Sequence, residues 1–390
     1  MKNIFMECGF VSLNKHGEKI CGDYYTMVKK EDTTTIVLSD GLGSGIKANI
    51  LATLTSKILS TMMAGNMSIE HSVHTVAKTL PVCKVRNLAY STFTIFQFYH
   101  YDNNAYLGQF DNPTAIIVRE GKNYSYSSTC KIIGEKEIYE SNIKLQVGDM
   151  VILLTDGITS AGLGRVTTNG WKRDEVIKYI ELWYTPNMSP QRMASTIADA
   201  CMDLSLGTPQ DDSTVAAFKI RKRQVVNLII GPPEKKEEDN IILKLFFSKV
   251  GKKIVCGGST SKMVSNYLNK PIKIVANSQN EEIPAIAHIE GVDLVTEGVI
   301  TLGKVVELGR KYLEDSKISL DLENKTDGAS LLAKLLFEEA TDINFFIGKA
   351  INPGHEIDGV KINSSIKMEF IRELKSLLMK MDKKVKVSLC

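Results

Sequence analysis

The feature that most restricts the fold is a β-branched, apolar run at residues 33–39 that passes directly into Asp40-Gly41-Leu42-Gly43-Ser44-Gly45 and then into a helical pattern. Gly41, Gly43 and Gly45 permit the tight backbone path that a strand needs to turn into the helix behind it. Ile46, Ile50, Leu51, Leu54, Ile58 and Met62 recur at helical spacing, and Ile69, Val73, Val76 and Leu80 repeat the pattern in a second helix. Residues 91–99, 114–119, 123–128 and 150–155 then read as strands, with Gly121-Lys122 as a hairpin turn. Ser189-Pro190 supplies an N-cap and first-turn pair for a helix carrying Met193, Ile197, Cys201 and Leu204 on one face, and residues 213–220 close the region as a strand.

At 390 residues the chain exceeds one ordinary hydrophobic core, and its character changes near residue 222, after Arg221-Lys222-Arg223-Gln224. Beyond that point strands at 225–230, 253–256, 272–276, 292–296 and 343–347 alternate with helical patterns, which predicts a parallel α/β sheet. The expected domains are therefore 1–222 and 223–390. A formal net charge of +3 lacks the basic excess that favours a nucleic-acid partner. No apolar stretch approaches the roughly 20 residues needed to cross a bilayer, and the first residues lack the pattern of an export signal. Seven scattered cysteines with no CxxC pair predict reduced thiols rather than disulfides or a zinc site, so a cytoplasmic protein is expected, with no membrane partner.

Four aspartate motifs stand at strand ends or adjoining turns: Cys21-Gly22-Asp23, Ser39-Asp40-Gly41, Thr155-Asp156-Gly157 and Gln210-Asp211-Asp212-Ser213-Thr214. Any one alone reads as a turn, since Asp-Gly is among the commonest turn dipeptides. Together they can supply oxygen ligands from several strands, which suits hard divalent cations such as Mg2+ and Mn2+.

LSDGLGSGIKA, GQFDNPTAIIVREG, LQVGDMVILLTDGITSAG and GTPQDDSTVAAFKI, in this order, resemble metal-dependent protein serine/threonine phosphatases of the 2C type, and within them the stage II sporulation protein E branch. The resemblance covers roughly residues 1–221. It implies an α+β fold: an αββα sandwich, with two antiparallel sheets carrying a site for two Mn2+ or Mg2+ ions at one end, followed here by a smaller α/β domain with a mostly parallel sheet. It makes Asp40 the aspartate that bridges both metals and the Gly41 carbonyl a ligand of one. Asp156 and Asp211 complete the other metal's shell, with Asp212 a neighbour that can fill the same place, and Asp23 contacts metal through water. Two cations about 3.5–4 Å apart lower the pKa of a shared water and align it on phosphorus, without a covalent side-chain nucleophile. The chain reads DGLGSG where eukaryotic members have DGHGG, so the acid role of that histidine does not transfer. It also reads QFDNP where bacterial relatives often have a glycine-bearing loop, which bears on substrate access.

The implied activity is hydrolysis of phosphoserine or phosphothreonine in a bacterial regulatory protein, such as an anti-sigma-factor antagonist. The alternative is a signalling scaffold whose phosphatase domain is weakly active or gated by a partner. His71 and His74, three residues apart on a helix, read as surface or packing residues because no acidic partner completes a metal motif. Met62, Met63 and Met67 read as core filler, and residues 380–386 as a solvated basic tail. Cys256-Gly257-Gly258-Ser259-Thr260-Ser261-Lys262 places a small-residue loop between strand and helix. Lys262 stands where a cysteine phosphatase needs an arginine, so the loop reads as a tight turn or as a contact for a small anionic ligand through Gly257, Gly258, Ser259 and Thr260. VCGGSTSKMVSNYL, HIEGVDLVTEGVITL and FFIGKAINPGH resemble the segment that follows similar phosphatase domains in some anaerobic bacteria, which suggests a ligand- or partner-sensing module. Glu290, Asp293 and Glu297 at strand ends read equally as ligand contacts or surface residues.

Overall fold

The structure, a computed structural model, describes residues 4–80, 91–134, 136–275, 284–314, 322, 325–350, 356–357, 360–361 and 364–389. The chain divides into two compact units, Met1–Lys222 and Arg223–Cys390. The first contains β1 (Ile4–Leu13), β2 (Asp23–Lys29), β3 (Thr33–Gly41), α1 (Gly45–Ala64), α2 (Ile69–Thr79), β4 (Ser91–Tyr99), β5 (Asn104–Phe110), β6 (Ile116–Arg119) and β7 (Lys122–Asn123). It continues with β8 (Thr129–Ile133), β9 (Lys136–Lys144), β10 (Met150–Leu154), α3 (Asp156–Thr159), α4 (Arg173–Trp183), α5 (Pro190–Leu204) and β11 (Ser213–Lys222).

Two antiparallel sheets, ordered β1-β11-β10-β6-β7 and β2-β3-β4-β5-β9-β8, lie face to face. Met6, Ile117, Val151 and Phe218 from one meet Ile36, Phe96, Phe98 and Leu107 from the other in a single buried cluster, where the Phe96 and Phe218 rings stand 5.2 Å apart. The outer face of the first sheet, with Ile116, Ile152 and Val215, is covered by Val176 of α4 and Met193, Ile197 and Cys201 of α5. That of the second, with Val37, Phe93 and Ile95, is covered by Leu59 and Met63 of α1 and Val73 and Val76 of α2. This is the expected αββα sandwich. It also explains why β10 reads MVILL without a polar residue: alternate side chains serve the inter-sheet core and the helix-covered face, and all five are buried.

Local details differ from the sequence reading. In α1 the first branched aliphatic residues do not face the sheet, as Leu59 later does: Ile46 and Ile50 are 65% and 51% exposed, and Ala48, Ala52, Thr55, Ser56 and Ser60 are buried instead. Close approach is the reason. A Cβ on Gly41 would lie 1.9 Å from the Ala48 carbonyl oxygen, and the Thr26 and Ser56 hydroxyls are 2.9 Å apart, so small residues are needed at these points between helix and sheet. Met63 is buried, whereas Met67 is half exposed and fills no core. The hairpin turn falls one residue earlier than expected, at Glu120 and Gly121, both with positive φ (51° and 80°) as a two-residue primed turn requires. The strand expected at 123–128 stops at Asn123, whose backbone N–H donates to Glu181 of α4 instead of to a neighbouring strand.

The second unit contains β12 (Val225–Ile230), α6 (Asp239–Ser248), β13 (Lys252–Cys256), α7 (Gly258–Leu268), β14 (Lys273–Ile274), β15 (Ala287–His288), β16 (Leu294–Thr296), α8 (Val299–Glu314) and α9 (Gly328–Lys334). β17 (Asp342–Ile347), the hairpin β18 (Glu356–Ile357) and β19 (Val360–Lys361), α10 (Ser364–Lys380) and β20 (Lys384–Leu389) complete it. The sheet runs β14-β15-β16-β13-β12-β17-β20, parallel from β16 to β20 and antiparallel at β14 and β15. The strand expected at 272–276 is confined to Lys273–Ile274 at the antiparallel edge, and residue 276 lies outside the described residues, as do 351–355 of the FFIGKAINPGH stretch. Residues 380–386 are not a solvated tail. The chain leaves α10, buries Lys383, and enters β20, where Val385 and Val387 pack on the core and the alternating lysines face outward from an edge strand.

Candidate metal centre

β2 and β3 pair so that Asp23 lies directly across from Asp40. This brings the first two aspartate motifs together at one end of their sheet. Gly41 follows Asp40 against α1, its N–H donating to the Gly22 carbonyl at 3.3 Å. Asp156 opens α3 just beyond β10, and Asp211-Asp212 precede β11, its antiparallel neighbour. A Cβ on Gly157 would lie 2.0 Å from the Asp212 carbonyl oxygen, so the last two motifs also abut. The four sites therefore converge from both sheets.

The environments of the carboxyls differ. Asp23 is buried; the Thr155 hydroxyl donates to its Oδ2 at 2.8 Å, and Thr155 Oγ1 in turn accepts from the Thr214 N–H at 2.7 Å. Asp40 is half-buried and Asp156 is exposed. Burial, reinforced by the charges of Asp23, Asp156 and Asp211, holds the Asp40 carboxyl far above the usual carboxylate range. Burial also raises Asp23, against the hydrogen bonds from Thr214 and Thr155 and together with the charge of Asp212. Asp211 is raised chiefly by burial, with Lys15 opposing and Asp156 adding to the shift; Lys15 Nζ stands 3.6 Å from its Oδ1. The neighbouring Cys21 thiol is pushed up to about 12 by burial and then by Asp23.

Asp212 is the member that sequence reading treated only as a neighbour of Asp211. It is buried, accepts from the Lys15 N–H at 3.0 Å, and points its other oxygen toward Gly22, where a Cβ would be 2.7 Å away. The supporting roles of Thr155, Lys15 and the Thr92–Asn112 pair were not foreseen. Thr92 lies across from Asp40 on β4 and donates to Asn112 at 2.6 Å, so the QFDNP loop is fastened beside the candidate ligands. Thr155 and Asn112 stand inside motifs already named, but their partners, like that of Lys15, lie far away in sequence, so spacing does not signal the contacts.

Two orphaned atoms test whether a divalent cation suits the cluster. Asp23 Oδ1 and Asp212 Oδ2 are buried with no hydrogen-bond partner, a costly arrangement for carboxylate oxygens that a cation or its waters would relieve. Among the described residues no three His, Cys, Asp or Glu side chains are gathered closely enough to enclose an ion by themselves. Mg2+ and similar ions are commonly held by one or two carboxylates and keep several waters, so spread, all-oxygen donors fit them.

The remaining sequence candidates lie elsewhere. His71 and His74 are exposed on α2. Cys256 is wholly buried, accepts from the Thr296 hydroxyl at 3.3 Å, and has its thiol pushed up to about 12 by burial, an environment opposite to that of a reactive thiolate. Gly257 caps α7 and Gly258, Ser259 and Thr260 form its first turn; Thr260 is fully buried, with its hydroxyl accepting from the Gly231 N–H at 2.8 Å. Glu290 is tied to Lys270 at 2.8 Å, Asp293 accepts from the Lys253 N–H at 2.7 Å, and Glu297 caps α8 through the Ile300 N–H at 3.1 Å. All three have structural partners.

Comparison with known proteins bears on the first unit. The family model for stage II sporulation protein E (SpoIIE) matches residues 30–221. The phosphoserine phosphatase RsbU of Bacillus subtilis is 25% identical over 215 residues, covering 52% of this chain and 60% of that protein. Stage II sporulation protein E of the same organism is 20% identical over 229 residues, covering 56% of this chain and 26% of that one. The chain thus spans less than two thirds of the length of either relative. The solved structure of the phosphatase domain and a regulatory fragment of B. subtilis SpoIIE superposes with a TM-score of 0.49 at 20% identity, over 56% of this chain and 63% of that one. No helix among the described residues is long and apolar enough to cross a membrane.

Proposed function

We propose that this chain, whose residues 30–221 are a SpoIIE-type phosphatase domain, hydrolyses phosphoserine or phosphothreonine in a regulatory protein of the cytoplasm, with an anti-sigma-factor antagonist as the favoured kind of substrate. The observation that carries the reading is the convergence of Asp23, Asp40, Asp156 and Asp211 at one end of the sandwich, with buried oxygens that lack partners on Asp23 and on the adjacent Asp212. Asp40, the Gly41 carbonyl, Asp156, Asp211 and, through water, Asp23 would hold two Mn2+ or Mg2+ ions. Bound there, the ions supply activation of water and neutralisation of phosphoryl oxygens. The chain's own part is to hold the carboxylates. Thr155 fixes Asp23, the Lys15 N–H fixes Asp212, and the Lys15 ammonium stands near Asp211, where it can also attract a phosphoryl group. Thr92 and Asn112 place the QFDNP loop at the edge of the site for substrate contact.

A second reading, activity gated by a partner, draws support from the exposed stripe of Ile46, Ile50 and Leu54 on α1, directly behind the Asp40–Gly45 loop. A partner covering that stripe would press on the helix whose Ala48 carbonyl touches Gly41. Hydrolysis of a phosphoserine peptide by the full chain, with and without Mn2+, and by Asp40→Ala, tests the assignment. Metal-dependent turnover lost in the variant is expected; equal rates in both proteins remove the site. Metal binding without turnover in the wild type favours the gated reading.

A further inference from the structure

At the carboxyl edge of the parallel sheet four strands end on the same rung. Ile347 pairs with Ile230, Ile230 with Cys256, and Cys256 with Thr296. Glycine follows three of these residues directly, as Gly348, Gly231 and Gly257, and Gly298 stands two places after Thr296. The backbones crowd there: a Cβ on Gly348 would lie 2.0 Å from the Pro232 carbonyl oxygen, and one on Gly298 would lie 3.3 Å from the Gly257 Cα. The strand order β16-β13-β12-β17-β20 places the topological switch between β12 and β17, since the chain moves outward from β12 in one direction and later returns to its other side. In open α/β sheets ligands bind in the crevice at such a point.

Lys367, from α10, is buried at this switch, with 8% of its surface exposed. Its ammonium donates to the Gly348 carbonyl and lies 2.9 Å from where a Gly231 Cβ would be. An ammonium has three donors, yet among the described residues no carboxylate is in ion-pair contact with this one, and burial alone lowers its pKa. Among the described residues its one partner is the Gly348 carbonyl, and a buried charge held so sparsely is costly. Gly231 links the lysine to α7, because its N–H donates to Thr260 in the first turn of that helix. α7 has eleven residues, no side chain caps its N-terminus, and a Cβ on Gly258 would meet nothing within 4 Å. The space above the turn is open. α8 offers no equivalent, because Glu297 already occupies its N-terminus.

We infer that the edge formed by Gly231, Gly348, the first turn of α7 and Lys367 binds the phosphoryl group of a small molecule, with Lys367 as its counter-charge. The lysine supplies a point charge, the glycines admit the ligand close to the backbone, and the helix N-terminus supplies N–H donors and a favourable dipole. This is independent of the activity proposed for the first unit.

Hydrogen–deuterium exchange of the full chain in EDTA and phosphate-free buffer, titrated with inorganic phosphate and separately with AMP, reads the site at residues 257–268. Wild type should show slowed exchange there. Lys367→Met should fold at least as stably and bind phosphate about tenfold or more weakly, since a hydrogen bond to a charged group is lost. Gly258→Asp, whose side chain enters the open space and suits a helix N-terminus, should fold and lose the response as well. Asp40→Asn should keep it. AMP stronger than phosphate includes a nucleoside in the ligand, and equal responses support a bare phosphoryl group. A wild type indifferent to both probes, either loop or lysine variant responding as wild type, or loss of the response in Asp40→Asn overturns the inference.

Discussion

The two units bury ionisable groups of opposite sign at their strand ends, carboxyls in the first and Lys367 in the second, and their architectures explain the difference. In the sandwich, antiparallel pairing sets Asp23 across from Asp40, and the β10 and β11 ends bring in Asp156, Asp211 and Asp212. Carboxylates accumulate because each of these strand ends contributes at least one. In the parallel sheet every helix starts at the same edge, so helix N-termini collect there, and the buried charge among them is the cation Lys367. The lesson is that, among the described residues, well-packed cores hold carboxylate oxygens without partners in the first unit and an ammonium without an ion pair in the second.

If the cores are separate, damage should stay local. Phe218→Ala, which empties the inter-sheet cluster, should destabilise residues 1–222 by about 3–5 kcal/mol, and Phe345→Ala should do the same to 223–390. Exchange-monitored denaturation that shows both units loosening equally for either variant breaks the comparison.

A smaller effect separates ligand holding from folding in the acidic site. Asp212→Asn should weaken Mn2+ binding about 10- to 100-fold, the range for groups that support ligands. It should also raise the melting temperature in EDTA, because a buried carboxylate oxygen without a partner is replaced by a neutral amide. Calorimetric titration and a thermal melt check the two halves, and a lowered melting temperature in EDTA would show that the carboxylate is structurally needed.

The basic site predicts a pH trend. The folded pKa of Lys367 lies below its unfolded value, so the unfolded state binds more protons between the two. Stability of the second unit should therefore rise as pH climbs from the lowered folded pKa to the ordinary lysine range. Lys367→Met should flatten that rise, and melts across alkaline pH in phosphate-free buffer measure it; an identical slope in the variant removes the lysine as its source.

The smallest effect belongs to surface charge. Hydrogen bonds from Lys311 and Lys304 hold Glu307 down to about 2, so its contribution is present above the usual glutamate range and lost as pH falls through about 2. Glu307 is partly exposed, and Glu307→Gln should cost less than about 1 kcal/mol at neutral pH. A larger loss in urea denaturation would mean that surface pairs rival the buried imbalances.

Much of this was legible in the amino-acid order. The strand–glycine–helix passage at 33–64, the Ser189-Pro190 helix start, the parallel strands of the second unit and the four aspartate motifs depend on local spacing, and local spacing is written in the chain. What only the tertiary structure decided concerns partners far apart in sequence. β1 and β20 became strands by pairing with β11 and β17, 202 and 42 residues away by their Ser12–Thr214 and Asp342–Lys384 contacts. α1 turned its alanines and serines inward because Gly41 lets the helix approach the sheet too closely for isoleucine. Asp212 and Lys367 look like ordinary loop and helix charges until packing removes their water. Burial is a property of the assembled fold, so the charges that matter most here could be listed from the sequence, whereas their cost was set by what folded over them.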